Sequence, residues 1–147
     1  MLVVDTNILV YAADADSPWH EEAHDWIERR RSEPDAWYVT WSILYEFMRV
    51  TTHPRVMRKP WKATQAMTFL SALLASPGLS VLVATERHAD VAAQVVAELP
   101  WLAGNLIHDA HTAILMREHG VSRICTRDAD FHRFPFVQVV DPLRGTD

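Results

Sequence analysis

Asp5, Glu46, Asp109 and Asp128 stand far apart in the chain, yet each falls near a predicted strand exit or in the first turns of a predicted helix, all toward one edge of the sheet. Asp5 is flanked by Leu2-Val3-Val4 and Ile8-Leu9-Val10, an apolar setting in which an acid is costly to bury without a partner. Glu46 lies about one turn into the helix expected after the second strand, among Ile43, Leu44, Phe47 and Val50. Asp109 lies in the first turn of the helix before the fourth strand, and Asp128 directly follows that strand, with Asp130 two residues on. In open α/β sheets, ligands bind beyond the carboxyl ends of the strands. Carboxylates gathered there raise one another's pKa, and a hard divalent cation relieves that repulsion. Acids without a set of His or Cys ligands favour magnesium or manganese over zinc. Such an ion generates hydroxide, orients it and neutralises charge at phosphorus. The plain alternatives stand beside this: an aspartate at a strand end also serves as a turn or capping residue, which fits Asp128 and Asp130, and Glu46 would suit a solvated helix face. Arg127, next to Asp128, points away from it if the segment is extended.

The elements that must position these acids are read from periodicity and caps. Residues 2–11 form an apolar, β-branched stretch, which predicts a strand buried on both faces. Ser17 and Pro18 read as N-cap and first residue of a helix that ends in Arg29, Arg30 and Arg31, with Trp19, Ala23, Trp26 and Ile27 on one face. Residues 37–41 predict a second strand, and residues 42–50 a helix ending before His53-Pro54. A helix over 62–75, with Ala63, Met67, Leu70 and Leu74 on one side, stops at Pro77-Gly78. A strand over 79–84 follows, then a helix capped by Thr85 and running to about Leu99. Asn105 caps the next helix, which runs to Gly120 as its C′ residue. Strands at 121–126 and 137–140 complete an alternation that predicts α/β architecture with a largely parallel sheet.

The chain has 147 residues, 49% of them hydrophobic, which is one domain's length with ample core and excludes intrinsic disorder. No internal repeat or linker divides it, so a single domain over residues 1–147 is expected. No apolar run approaches bilayer length, and the first ten residues carry Asp5 and Asn7 with no basic start. Neither a membrane span nor a signal peptide is expected, and a cytoplasmic location follows. The single Cys125 excludes an intrachain disulfide framework, and its strand setting predicts an inert packing thiol. Net charge is −5, which excludes generic coating of nucleic acid. Residues 49–62 nevertheless carry Arg49, Arg55, Arg58, Lys59 and Lys62 and no acid. That stretch suits either an RNA backbone or a solvated turn facing acidic neighbours.

Taken in order, the acidic segments resemble a known family. Val3-Val4-Asp5-Thr6-Asn7-Ile8-Leu9 resembles the opening motif of PIN-domain nucleases. Glu46-Phe47-x-Arg49-Val50-x-Thr52-His53-Pro54-Arg55-Val56 is similar to the central motif of VapC-type toxins of toxin–antitoxin pairs. Ile107-His108-Asp109-Ala110 with Ala113 resembles their third motif, and Thr126-x-Asp128-x-Asp130-Phe131-x-Arg133-Phe134 their last. The resemblance covers essentially the whole chain. It implies a PIN-like three-layer sandwich, with a five-stranded, mostly parallel sheet flanked by helices. It implies magnesium- or manganese-dependent cleavage of structured RNA, such as transfer or ribosomal RNA. Asp5 and Asp109 would be the principal metal-holding carboxylates, Glu46 would complete the pocket by binding metal or activating water, and Asp128 would be the fourth acid. Asp130 falls in the motif that varies most in the family. Thr6 and Asn7 would orient Asp5 and the scissile phosphate, and Thr126 would do the same from the opposite wall. The implied partners are a second copy of the chain and a VapB-type antitoxin. The antitoxin's tail would pack near residues 19–27 and 42–50 and extend a basic side chain to the acids.

Other signals are weaker. His20 and His24 have i, i+4 spacing but no third ligand, so they read as surface histidines. His108 and His111 flank Asp109, where a phosphate contact competes with a solvated or capping role. Of the six tryptophans, most are expected in the core and some at an interface. Two other functions use the same features. A PIN scaffold that binds RNA or protein without cutting would be expected if an acid were missing, and none is. A haloacid-dehalogenase-like phosphatase needs a second aspartate where Asn7 stands and a catalytic lysine, and the only lysines are Lys59 and Lys62.

Overall fold

The computed structural model describes residues 1–143; the last four residues of the domain expected over 1–147 lie outside them. Its strands are β1 (Val3–Val4), β2 (Trp37–Thr40), β3 (Leu79–Leu82), β4 (Arg123–Cys125) and β5 (Gln138–Val140). Its helices are α1 (Thr6–Ala13), α2 (His20–Ser32), α3 (Trp41–Thr51), α4 (Ala63–Leu74), α5 (His88–Glu98) and α6 (Leu106–His119), and Ala129–Arg133 forms a 3₁₀ turn. The five strands pair in parallel in the order β3-β2-β1-β4-β5. From β1 the chain steps outward to β2 and β3, then returns past β1 to β4 and β5. Right-handed crossovers therefore place α1–α4 on one face and α5 and α6 on the other. The packing agrees: α1 lies against α2 and α3, α3 against α4, and α5 against α6. This is the expected three-layer arrangement.

The core fills both spaces between layers. Ile8, Leu9, Leu44, Phe47 and Leu70 are buried with the fully enclosed strand residues Val3, Val4, Trp37 and Ile124, and Phe131 and Phe134 close the β4–β5 end. Phe47 stacks on Phe69 at 5.0 Å, and Trp61 meets Phe47 edge-on at 6.2 Å. Gly120 ends α6 in the left-handed conformation (φ 72°), as its C′ placement predicts.

Several local expectations are corrected. The stretch over residues 2–11 is not one strand. Two residues pair in the sheet, and Asp5 then caps a helix whose buried positions are Ile8, Leu9 and Ala12. A short apolar run does not distinguish a buried strand from a buried helix, and the polar Asp5-Thr6-Asn7 break is the helix start. Ser17 forms a turn rather than an N-cap, its Oγ accepting from the Trp19 amide, and α2 begins at His20. Thr85 likewise precedes α5 by a turn. Asn105 occupies the N-cap position of α6 without a side-chain cap bond. On α4 the inward residues are Ala66, Leu70 and Leu73, and Met67 faces out. Of the tryptophans only Trp37 is fully buried, and Trp41 is 47% exposed. Three of the others are covered by arginines of the same chain: Arg127 lies 4.0 Å over Trp19, Arg133 4.3 Å over Trp101, and Arg30 5.2 Å from the Trp26 ring centre.

Gly78 shows how closely the β2 and β3 entrances pack. Its carbonyl accepts from the Trp37 amide at 3.0 Å, and a Cβ there would collide with the Asp35 carbonyl. Gly78→Ala is expected to cost about 2 kcal/mol by this overpacking, read as a lower urea midpoint with an unchanged slope.

Candidate active site at the carboxyl edge of the sheet

Asp5 leaves β1 in extended conformation and caps α1, its Oδ1 accepting from the Thr6 amide at 2.8 Å. Its Oδ2 accepts from Thr126 Oγ1 at 2.7 Å and from Asn7 Nδ2 at 3.2 Å. Asn7 Nδ2 also donates to Thr126 Oγ1 (2.9 Å), and Asn7 Oδ1 accepts from the Arg127 amide (3.2 Å). Thr126 Oγ1 in turn accepts from the Asp128 amide at 2.9 Å. Thr6 Oγ1 donates to the Ile43 carbonyl at 3.3 Å, tying α1 to α3. Short polar side chains at the exits of β1 and β4 thus form one web around a carboxylate that is only 9% exposed. Burial raises the Asp5 pKa. Hydrogen bonds from Thr126 and Thr6 oppose that rise, and the charges of Asp128 and Glu46 add to it.

Thr126→Val keeps the shape of that web and removes its central hydroxyl. It should cost about 2 kcal/mol, because the Asp128 and Asn7 donors lose their acceptor inside the fold. Thr126→Ser should cost less than half as much. Chemical denaturation of the two variants separates the hydroxyl from the methyl.

The second part of the site comes from α6 and the β4 exit. Asp109, in the first turn of α6, Asp128, which caps the 3₁₀ turn, and Asp130 each place an oxygen within 4.8 Å of the others. Among the described residues this is the one group of three or more metal-ligating side chains within reach of a single ion. Burial, followed by the charges of Asp128, Asp5 and Asp130, pushes the Asp109 pKa up to about 7. Asp130 therefore belongs to the tightest acidic cluster, and Asp5 sits beside it with both oxygens already hydrogen-bonded. Glu46 lines the same cleft, but its carboxylate is held by Arg49, Nη2 to Oε1 at 2.5 Å and Nε to Oε2 at 2.9 Å. The Arg49 hydrogen bond is the main cause of its lowered pKa; burial opposes it, and the Arg49 and His108 charges act with the hydrogen bond.

The cleft has a volume of about 700 Å³, and its walls include the five acids Asp5, Glu46, Asp109, Asp128 and Asp130. His108, Thr112, Ser42 and Asn105 also line it. Sequence reasoning does not single out Thr112 or Ser42; Thr112 stands three residues after Asp109, the spacing that places two side chains on one helix face. Arg127 points away from the acids, pairing with Asp141 at 3.2 Å. His20 Nδ1 is bonded to the Tyr11 carbonyl at 3.0 Å, and Cys125 is buried with its thiol pKa pushed up to about 12 by burial. A larger cleft, about 920 Å³, opens between α2 and the β4–β5 side. Its wall mixes Arg29, Arg30 and Arg123 with Glu22, Asp25 and Glu28. Among the described residues no metal-ligating group forms there, so the smaller cleft is the site with a defined chemistry. Beyond α3, the basic residues Arg55, Arg58, Lys59 and Lys62 are exposed and form no ion pair among the described residues.

A parallel three-layer α/β fold with convergent acids at the carboxyl edge defines a class, and the PIN domain pattern matches residues 2–137 of the chain. Ribonuclease VapC48 of Mycobacterium tuberculosis is 30% identical over 141 residues, covering 96% of this chain and 97% of the relative. The chain belongs to the VapC ribonucleases of the PIN-domain family. Among solved structures, VapBC2 from Rickettsia felis bound to a promoter DNA fragment has a similar fold (TM-score 0.67, 18% identity, 95% of this chain and 96% of that one). So does VapC20 of M. tuberculosis, described as a sarcin–ricin loop cleaving toxin (TM-score 0.67, 20% identity, 93% and 97%).

Proposed function

We propose that the chain, a single PIN domain over residues 1–147, is a metal-dependent endoribonuclease acting in the cytoplasm as the toxin of a type II toxin–antitoxin pair. The observation that carries this reading is the convergence of five acids, from both helical layers and from the exits of β1 and β4, on one cleft. Their donor set fits a divalent cation: oxygen ligands only, with burial and then the charges of Asp128, Asp5 and Asp130 pushing Asp109 up to about 7. Asp5, Asp109 and Asp128, with Asp130 beside them, would hold magnesium or manganese, which when bound supplies hydroxide and charge neutralisation at phosphorus.

The chain's own groups do the rest. Thr6, Asn7 and Thr126 fix the Asp5 carboxylate and so the floor of the cleft. The Glu46–Arg49 pair is half-exposed, and pairs of that kind are worth less than about 1 kcal/mol. Glu46 is therefore able to leave Arg49 and accept a proton from the attacking water, while the released guanidinium meets a phosphate oxygen. The exposed cations of residues 55–62 supply a sequence-independent hold on the RNA backbone, which is the RNA-binding option for that stretch. The phosphatase alternative loses support, because Asn7 is committed to Asp5, Thr126 and Arg127, and Lys59 and Lys62 line no part of the cleft.

The proposed partners are a VapB-type antitoxin and a second copy of the chain. The likeness to VapBC2 of Rickettsia felis, a toxin together with its antitoxin, supports the first. Trp41 and Tyr45, 47% and 67% exposed on the free face of α3, support an association surface near the cleft. The test is incubation of purified protein with end-labelled structured RNA, with manganese or with chelator. Metal-dependent cleavage, lost in Asp5→Asn, is the expected result. RNA binding without cleavage under any metal would leave the silent scaffold as the correct reading.

A further inference from the structure

One buried carboxylate takes no part in the cleft. Glu118, 4% exposed, lies in the last turn of α6, where the helix dipole disfavours a negative charge. It accepts from the Thr85 amide at 2.5 Å, from Thr85 Oγ1, and from His88 Nδ1 at 2.6 Å. Arg87 Nη2 donates to the Glu118 carbonyl at 2.7 Å, and His119 Nε2 lies 2.7 Å from the Val83 carbonyl. The connection from β3 to α5 is thereby clasped to the end of α6. A leucine in that position would fill the space without the cost of burying an ion, so packing alone does not account for the glutamate.

The polar contacts continue toward the cleft. His111 stands seven residues before Glu118 on α6, hence on the same face. His88 reaches both: its Nδ1 bonds Glu118, and its ring meets the His111 ring edge-on at 5.9 Å. His111 Nδ1 in turn lies 2.8 Å from Ser42 Oγ, and Ser42 lines the cleft. Ser42 is in α3 and His111 in α6, on opposite faces of the sheet, so this hydrogen bond crosses the strand ends. It links the helix that carries Glu46, one turn beyond Ser42, to the helix that carries Asp109, two residues before His111.

We propose that Glu118, His88, His111 and Ser42 form a polar strut between the two helical layers that sets the spacing of Glu46 and Asp109, making His111 and Ser42 positioning residues for RNA cleavage. This rests on the ribonuclease reading above. A displacement of about 1 Å between reacting groups is enough to slow a reaction 10²-fold. Loss of a bond at the rim should act more mildly and on turnover alone.

The test uses the full chain with a labelled RNA and manganese. Ser42→Ala and His111→Phe, which keeps the ring but removes the bond, should each lower kcat about 20-fold with KM within about twofold of wild type. His111→Asn, whose amide stands where Nδ1 stood, should restore kcat to within about threefold. A second readout needs no activity: the ring-carbon NMR shifts of His111 should move in His88→Gln and in Glu118→Gln, although Glu118 does not touch that ring. Unchanged kcat in Ser42→Ala, equal losses in His111→Asn and His111→Phe, or an unmoved His111 ring in His88→Gln would overturn the strut. If the wild-type protein cuts no RNA, the ribonuclease reading falls by itself and the NMR comparison still decides whether the strut exists.

Discussion

Asp109→Asn should lower metal-dependent RNA cleavage by about 10³-fold while making the metal-free protein more stable at neutral pH; both expected effects come from one carboxylate. Asp109 is held among Asp128, Asp5 and Asp130 with its pKa up at about 7. An amide has the same shape but no charge, so a bound cation would lose a ligand and activity should fall. The sign of the stability change follows from linkage. A carboxyl whose folded pKa is raised contributes stability that is fully present below its unfolded value, near 3.8, and is lost as pH rises through about 7. Between those limits the metal-free wild type should lose about 2 kcal/mol, discounting the full shift for coupling among the acids. Asp109→Asn should lack that loss. Melts from pH 4 to pH 8 in chelator, beside cleavage assays on the same preparations, check both halves. Retained cleavage in a preparation free of contaminating nuclease would remove Asp109 from the catalytic set.

Manganese or magnesium at ~100 times its dissociation constant should stabilise the protein by ~2.7 kcal/mol. For a chain of this size that is a rise in Tm of roughly 8 °C. The rise should be largest near pH 8 and fade toward pH 5, because protons compete for Asp109 and its neighbours. It should shrink in Asp128→Asn and survive in Glu118→Gln, whose carboxylate lies outside the cleft. Glu118 gives the opposite pH signature: burial alone would raise its pKa, but hydrogen bonds from Thr85 and His88 hold it down to about 2. Its contribution is present above its ordinary value near 4.5 and is lost as pH falls toward 2. On these two groups the metal-free protein should therefore be most stable near about pH 4 to 4.5 and lose stability from there toward pH 7. A thermal scan with no metal-induced shift at pH 8 would refute the cation site.

Much of the fold was legible because alternation of apolar runs and helical faces reports a parallel α/β sheet directly. The boundaries were less so. Asp5-Thr6-Asn7 reads as an interruption in a strand, whereas it is the point at which the strand ends and α1 begins. Ile8, Leu9 and Ala12 are buried on a helix that a run of apolar letters does not separate from a strand. The tryptophan count suggests a larger aromatic core than exists, because an arginine stacked on an indole covers it as well as a partner does, and composition does not reveal that.

The sequence by itself determined which acids the chain carries, their order, and the strand and helix ends on which they ride. Spacing along the backbone governs those properties, and spacing is what a sequence records. The tertiary structure alone decided that Asp130 joins Asp109 and Asp128 within 4.8 Å, that Arg49 occupies the Glu46 carboxylate, and that Glu118 is buried on His88. Each of these depends on which rotamer packs where, and for Asp109 and Glu118 on partners from other elements. Coulomb and desolvation energies vary steeply over a few ångströms, a scale that periodicity does not resolve.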